Sequence, residues 1–513
     1  MATSWDNVSD AIFHHASERP DAPAIVEGRN TLSYGELAPL VAKCSVYLRD
    51  IGVNPGDRVG VALTNSADHL ILSFGIMRLG AVLVEISTQV AQAEREGLAR
   101  KFGISTMFTE PDAAPVGGTK SLWIDVGWRS LVATKTGDCR YEGGGKEPYV
   151  IGLTSGSTGL SKGVVTTHRQ QLHRFYAASE AYRGTGIFSP ERPGPLLLTG
   201  SVGFTGYFMF LLCQIFAGGP VVVFPTFTWV ADLVRAISPW EDAVCPLTPL
   251  MCRGLLLYAR QHGLMFPAVR AIMVLGQPLF AEEKRKVVER INPNLYDVYG
   301  SAGSGFLSTL PPTEMVGKSG SAGRPVSNAE IEIVDRRGNK VLPGAIGHLR
   351  VRGPQVSSGF YSDADGSGHE RFDDGWYYPG DRAMVDEAGY VYLKGRASDL
   401  IVRRGVEILP SEVEAVVASH DSVAEVVVVG RPAAGIGEEV VALVVARGEP
   451  KHEELTQHCM GRLAPEKMPG QIVYAKALPK TANGKFNIAE IKALALRHGV
   501  KAPITVSAAH LTE

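Results

Sequence analysis

Almost no net charge remains on this chain once its 51 lysines and arginines are set against 53 aspartates and glutamates. A residual −2 over 513 residues gives no global basic field, which argues against nucleic acid as the main partner. Six cysteines (Cys44, Cys139, Cys213, Cys245, Cys252 and Cys459) stand apart with no CxxC pair. That excludes a disulfide framework or a cysteine zinc site and fits free thiols in a reducing cytoplasm. The thirteen histidines show no HExxH spacing, so none is assigned to a metal. The N-terminal MATSWDNVSD has neither a basic stretch nor an apolar core, so no secretory signal is expected. Unbroken apolar runs are missing too. FMFLLCQIFAGGPVVVF is cut by Gly-Gly-Pro and reads as a buried helix followed by a buried strand, not as a membrane span.

What is present is an ordinary globular balance, 45% apolar and 20% charged. A chain of this length exceeds one hydrophobic core and predicts two or more domains. LSYGELAPLVAKCSVYLRDIG has helical apolar spacing and ends at Gly52; DRVGVAL reads as a buried strand, and SADHLILSFGIMRLGA as the next helix. Such alternation predicts α/β layers with mostly parallel sheets. From about Ala322 the pattern turns to short strands between Gly-rich turns (AEIEIVD, GHLRVRG, GYVYLKG), a β-rich subdomain. After Gly395, PSEVEAVVASH, VAEVVVVGRP, EVVALVVARG and IVYAKALP suggest a small α+β domain. The expected division is a large domain over 1–394, a hinge at 395–399, and a small mobile domain over 400–513. Gly117–Lys146, rich in Gly and polar residues, is expected to loop over the surface. No internal repeat is visible.

Following the strand candidate YVIGL, the stretch LTSGSTGLSKG offers the hydroxyls of Ser155, Ser157 and Thr158, close backbone approach at Gly156, Gly159 and Gly163, and the charge of Lys162. The Walker spacing is not met, because Ser161 stands where its second glycine belongs. By composition alone, phosphate loop and surface loop are both open.

The string TSGSTGxxKG resembles the phosphate loop of the adenylate-forming superfamily of acyl- and aryl-CoA synthetases, peptide-synthetase adenylation domains and beetle luciferases. Five further stretches resemble that family in its order over nearly the whole chain: LGQPL (275–279), VYGSAG (298–303), GWYYPGD (375–381), GRASDLIVRRGVEILPSEVE (395–414) and PKTANGK (479–485). The resemblance implies a ligase joining a carboxylic acid to coenzyme A through an acyl-adenylate, with ATP/AMP and CoA as cofactors. It also implies Mg²⁺ wherever adenylation is retained. Thr154, Ser155, Gly156, Ser157, Thr158, Gly159 and Lys162 would hold the departing phosphates. Gly276, Gln277, Pro278, Tyr299, Gly300, Ser301 and Ala302 would hold AMP, Tyr299 offering adenine a ring face. Asp381 would accept both ribose hydroxyls, with Arg396 donating to the same sugar. Lys485 would bridge the carboxylate and the α-phosphate, where two anions meet; outside its motif it would read as a solvated surface residue. Ser398 aligns with the hinge, and Arg404 and Gly405 with the wall of the CoA tunnel after rotation of the small domain. A homodimer is implied by the resemblance alone.

The chain departs from the family at the tyrosine segment. Where relatives read Tyr-Gly-x-Thr-Glu, Tyr299-Gly300-Ser301-Ala302-Gly303 lacks the carboxylate that helps hold Mg²⁺, a cation that wants oxygen ligands. Thr158 offers one oxygen; Asp297, the nearest acid in sequence, lies two residues upstream of Tyr299. The hinge residue Ser398 replaces the usual Asp or Lys, and Phe486-Asn487 follows Lys485 without the usual basic residue. Two readings stay open: a ligase specialised for thioesterifying an acyl-AMP supplied by a separate adenylating enzyme, and a full ligase with a substitute Mg²⁺ ligand. Gly200, Gly203, Phe204, Tyr207 and Gly303, with Gly206 and Gly305, suggest a wide, apolar acyl pocket for a bulky aromatic or polycyclic acid, unless the glycines serve backbone packing. An α-amino acid is disfavoured because SVGFTGYF offers no acid for its ammonium; an acid elsewhere in the pocket would reverse that. Alternatives are an adenylation enzyme loading a separate carrier protein, none being expected after Glu513, a luciferase-like oxygenase, and an inactive nucleotide-binding homologue.

Overall fold

A computed structural model of the protein describes residues 5–154, 162–225, 227, 229–259, 263–361, 370–449, 451–481 and 485–497. The architecture is mixed α/β. In the first of two large sheets, Val82–Glu85, Arg58–Ala62, Ile104–Thr109 and Lys120–Trp123 run parallel. Pro148–Thr154 joins them in parallel and turns back, antiparallel, into Lys162–Thr167. The second sheet carries Pro23–Glu27, Val221–Val223, Leu196–Leu198, Val244–Leu247, Ala271–Leu275 and Leu295–Ser301 in parallel order. Gly305–Leu310 then pairs antiparallel with Leu295–Ser301.

The helices Ala67–Leu79 and Thr205–Ala217 explain themselves by composition. Both are apolar almost all round and almost wholly buried within one large core, as a helix with no polar face must be. Gly80 (φ +80°) and Gly218 (φ +72°) end them in the left-handed conformation that glycine adopts without a Cβ penalty. FMFLLCQIFAGGPVVVF is thus helix, glycine turn and strand. No helix among the described residues is long and apolar enough to cross a membrane.

A third sheet, antiparallel throughout its pairings, is built within 330–396. A fourth lies within 401–474, where Val423–Ala433 and Gly437–Ala446 form a long antiparallel pair. Buried clusters on its two faces involve Pro410–Ala418 and His452–Met460 on one side and Ile488–Arg497 on the other.

One expectation is corrected. Gly117–Lys146 is not merely a surface loop: Lys120–Trp123 forms the edge strand of the first sheet, and Trp128–Ala133 is a short helix. Trp128 is buried edge-on against Tyr47, with ring centroids 6.1 Å apart. An edge strand and a two-turn helix bury few side chains, so their apolar signal drowns among the neighbouring glycines.

Candidate active site

The two arms of the Gly/Ser/Thr loop are in register, Thr154 opposite Lys162 across the antiparallel pair. Lys162 Nζ stands 5.0 Å from the centroid of the Phe360 ring. Ser155, Gly156, Ser157, Thr158 and Gly159 lie outside the described residues.

Elsewhere, strand register creates a charged cluster. Asp381 opens the strand Asp381–Val385 and pairs with Arg396, the last residue of Val391–Arg396. Arg396 Nε comes within 3.2 Å of Asp381 Oδ1, and the Tyr299 hydroxyl donates to Asp381 Oδ2 at 2.6 Å. Burial and then the Asp381 charge hold the Tyr299 phenol well above its usual value, so it remains a donor. A carboxylate accepts through both oxygens, and Asp381 sits where the pairing holds it. Gly300 is obligatory here: a Cβ would meet the Gly305 carbonyl oxygen at 2.2 Å.

Lys485 arrives from the small fourth-sheet body. Its backbone carbonyl accepts from Thr481 N at 2.7 Å, and Lys480 pairs with Phe486 in an antiparallel bridge. The ammonium lies 5.1 Å from the Phe204 ring centroid. Gly276 (φ +95°) is beside both: its added Cβ would be 3.3 Å from Phe204 Cζ and 3.9 Å from Lys485 Cε. The Pro278 carbonyl accepts from the Arg253 guanidinium at 3.4 Å, and Gln277 is half-buried.

The remaining small-domain candidates sit elsewhere. Ser398 lies in a short 3₁₀ turn, Ala397–Asp399, and donates to Asp399 at 3.3 Å. Arg404 (φ +52°) and Gly405 (φ +80°) form an exposed two-residue turn between Ile401–Arg403 and Val406–Ile408. Two positive φ values in succession are the geometry of a tight hairpin turn. The structure seats Lys485, rather than this turn, over Phe204.

At the position of the missing glutamate, packing has closed the space. A Cβ on Gly303 would stand 2.5 Å from Tyr377 Cζ and 2.8 Å from its hydroxyl. Tyr377 is fully buried, stacked on Phe372 at 4.5 Å, and accepts from Ser301 Oγ at 3.3 Å. Asp297 supplies no substitute carboxylate: it faces Lys284 in a buried ion pair of 2.5 Å. No group of three or more His, Cys, Asp or Glu able to hold a metal occurs among the described residues. These residues do not fit a Mg²⁺ ion bound through a carboxylate on the tyrosine segment.

The expected wide pocket is corrected by the same kind of packing. The volume missing at Gly200 is taken by the Tyr207 ring, whose nearest carbon would be 2.1 Å from an added Cβ. Leu275 fills the space at Gly206, and Arg174 that at Gly305. Gly203 instead lines a narrow cavity behind Phe204, with Thr205, Phe208, Met209 and the strand residues 149–153. Its walls also include Glu85, Gln171 and Arg174, which sequence reasoning missed. An acid in the cavity removes the stated ground for disfavouring an α-amino acid, but this acid is already engaged. Glu85 accepts from Ser73 Oγ at 3.1 Å and sits 3.0 Å from His69 Nε2. Burial opposes the charge on His69, yet Glu85 outweighs it and holds the imidazole above its usual value. Nothing in the local sequence distinguishes Gln171 or Arg174 from surface residues of an amphipathic helix.

The family described as AMP-binding enzyme matches residues 12–361, and the AMP-binding enzyme C-terminal domain matches residues 412–485. The chain belongs to the AMP-binding enzyme family. Among particular relatives, it is similar to an indoleacetate–CoA ligase of Aromatoleum aromaticum, 29% identical over 510 residues, covering 96% of this chain and 98% of the relative. It is also similar to the fatty acid–[acyl-carrier-protein] ligase ScoC of Streptomyces coeruleorubidus, 29% identical over 500 residues, covering 93% and 94%. In fold it resembles the o-succinylbenzoate CoA synthetase of Bacillus subtilis solved with its acyl-adenylate, with a TM-score of 0.83 at 23% identity over 94% of this chain and 97% of that one.

Proposed function

We propose that this protein is an acyl-CoA ligase that works through an acyl-AMP intermediate and is specialised towards the second half of the reaction. The observation that carries the reading is the meeting of Lys485, Gly276 and Phe204; the Asp381–Tyr299–Arg396 cluster supports it. In the first half, a carboxylate oxygen attacks the α-phosphorus and pyrophosphate leaves. The Lys485 ammonium offsets the charge that gathers there, Asp381 and Arg396 fix the ribose, and residues 154–162 carry the leaving phosphates. In the second half, the thiolate of CoA attacks the acyl carbonyl and AMP leaves.

That half requires Lys485 to withdraw. The small body, 400–513 in our division, would turn about 395–399, with Ser398 as the pivot, and bring Arg404 and Gly405 towards the thiol path. The replacement of a carboxylate by glycine and the Tyr377 ring supports weakened handling of Mg-ATP, while a preformed acyl-AMP needs no such ligand. A separate adenylating enzyme is then the natural supplier. The filled glycine positions withdraw the support for a polycyclic acid. CoA is preferred as acceptor over a carrier protein, the acceptor named for one relative. The unpaired cysteines suit a reducing cytoplasm.

The test compares thioester formation from acid, Mg-ATP and CoA with that from synthetic acyl-AMP and CoA. Product from acyl-AMP at a rate at least about tenfold higher is expected, the scale of one lost charge contact. Equal rates would make the enzyme a complete ligase, and product only with a holo carrier protein would move it to the carrier-loading class.

A further inference from the structure

Outside the residues read as reacting or ribose-binding, one set of charged side chains runs from the large body into the small one. Arg253, on the helix Pro249–Tyr258, donates from Nε to Glu283 Oε1 at 2.6 Å and from Nη2 to Glu283 Oε2 at 3.1 Å. The same Nη2 donates to the Pro278 carbonyl at 3.4 Å, and Glu283 Oε2 also accepts from Phe280 N at 2.9 Å. Both members of the pair thus hold the stretch 276–280, whose Gly276 adjoins Lys485. On the small body, Glu425 accepts from Lys480 Nζ at 2.7 Å. Lys480 is bridged to Phe486, and Thr481 N donates to the Lys485 carbonyl, so Lys480 belongs to the backbone pairing that carries Lys485. The register of Val423–Ala433 against Gly437–Ala446 shifts between Val423 and Glu425, two residues advancing on one strand against one on the other. A bulge of this kind re-aims the side chain beside it.

The two sets act on each other. Burial opposes the charge on Arg253, but Glu283 and then Glu425 outweigh it and hold the guanidinium above its usual value. Burial pushes the carboxyl of Glu414, also on the small body, up to about 7, and Arg253 is among the groups that pull it back down. Resting on the acyl-AMP reading above, we infer that Glu425 is a positioning residue: shared between Lys480 and Arg253, it latches the backbone that carries Lys485 to the stretch 276–280. The latch is suited to repeated opening. Arg253 keeps Glu283 and Lys480 keeps Glu425 when the bodies part, so neither is left as an unpaired charge. The side chains of Arg253 and Glu425 are only 12% and 15% exposed, so salt screens them less than it screens charges in open water. Displacement of Lys485 by a fraction of its own length would remove it from the reacting groups, and positioning of that kind is where rate is lost fastest.

The test reads docking directly, so it does not depend on turnover. Spin labels are placed on the full-length protein through cysteines at exposed Met460 of the small body and at exposed Leu342 or Val316 of the large one, with the half-buried Cys139 changed to serine. Pulsed distance measurements on both label pairs give the ratio of docked to undocked molecules. Glu425→Gln should lower that ratio at least about threefold, and Arg253→Gln should do the same. The double variant should lose no more than the larger single effect, because both changes remove one contact. Lys480→Met should act in the same direction, while Lys480→Arg keeps the ratio near that of the wild type. A ratio unchanged by Glu425→Gln overturns the inference, as do effects of Glu425→Gln and Arg253→Gln that simply add. If Glu425→Gln does not fold, Arg253→Gln and Lys480→Met decide on the same terms. In pyrophosphate release from acid and Mg-ATP, the variants should lower kcat with little change in the KM for the acid. Thioester formation from synthetic acyl-AMP should stay as it is, a split that general loss of structure would not give. Absence of thioester from acyl-AMP with the wild type overturns the ligase reading, while the docking ratio still decides this one.

Discussion

The surroundings of Asp381 and of Gly303 are packed differently. Around Asp381 strand register fixes the contacts: residues 381 and 396 pair, and Tyr299 reaches across from a neighbouring sheet. Around Gly303 the space that a side chain would need is held by the buried Tyr377 ring. Loss of a side chain alone leaves a cavity that a reversion can refill. Loss accompanied by a ring in the vacated space is a packed solution, which a single reversion cannot undo.

The sharpest way to break this contrast is Lys485→Ala. If the lysine acts only in adenylation, the residual rate from acid and Mg-ATP should drop by about 10²–10³-fold, the scale for removing one transition-state charge contact. Thioester formation from acyl-AMP should change less than about threefold, since an interaction absent from that transition state adds nothing to its rate. Pyrophosphate release and thioester assays on the same preparation check both. Next in size is the reversion. Gly303→Glu alone should lower stability by about 1–3 kcal/mol in urea unfolding, because its Cβ meets the Tyr377 ring. Adding Tyr377→Ala opens the space, and the double variant should release pyrophosphate faster than Tyr377→Ala alone, with a steeper Mg²⁺ dependence.

At the Asp381 end the expected effect is smaller. Tyr299→Phe removes one donor to a carboxylate, an interaction of about 1.5–3 kcal/mol, but frees that oxygen for the ribose. AMP affinity should therefore shift by less than about tenfold, measured by calorimetry. The smallest effect belongs to the cavity floor. His69 is held above its ordinary value by Glu85, so its protonation stabilises the fold fully below the unfolded histidine value of 6.5 and that gain is lost as pH rises through the folded value. The stability deficit of His69→Asn should shrink as pH is raised, read from thermal unfolding across that range.

Much of this was legible in the sequence, for identifiable reasons. Long periodic segments such as Tyr34–Asp50 and Ala67–Leu79 declare themselves because their burial is set by their own composition. Local motifs put Asp381, Tyr299, Arg396 and Lys485 on one list; strand pairing and a sheet-to-sheet contact bring the first three together, and Lys485 is set against Phe204. What was not legible is contact between residues far apart in the chain. Nothing near Gly303 announces Tyr377, and nothing near Gly200 says that Tyr207 folds back over it. A glycine string specifies missing side chains but not which neighbour uses the room. Arg174 and Gln171 look like the polar face of a surface helix until the Ser357 and Tyr149 side chains are seen against them.

Among the contacts between the small body that carries Lys485 and the large one are two ion pairs at the surface. Arg336 meets Glu407 at 2.6 Å, and Lys286 lies 3.9 Å from Asp421. Exposed pairs of this kind are weak and are screened over a Debye length of about 8 Å at physiological salt. On the proposed rotation of the small body, raising ionic strength is expected to lower the population with Lys485 over Phe204 and to favour the other arrangement. The ratio of the two proposed half-reactions would then depend on the medium as well as on the protein.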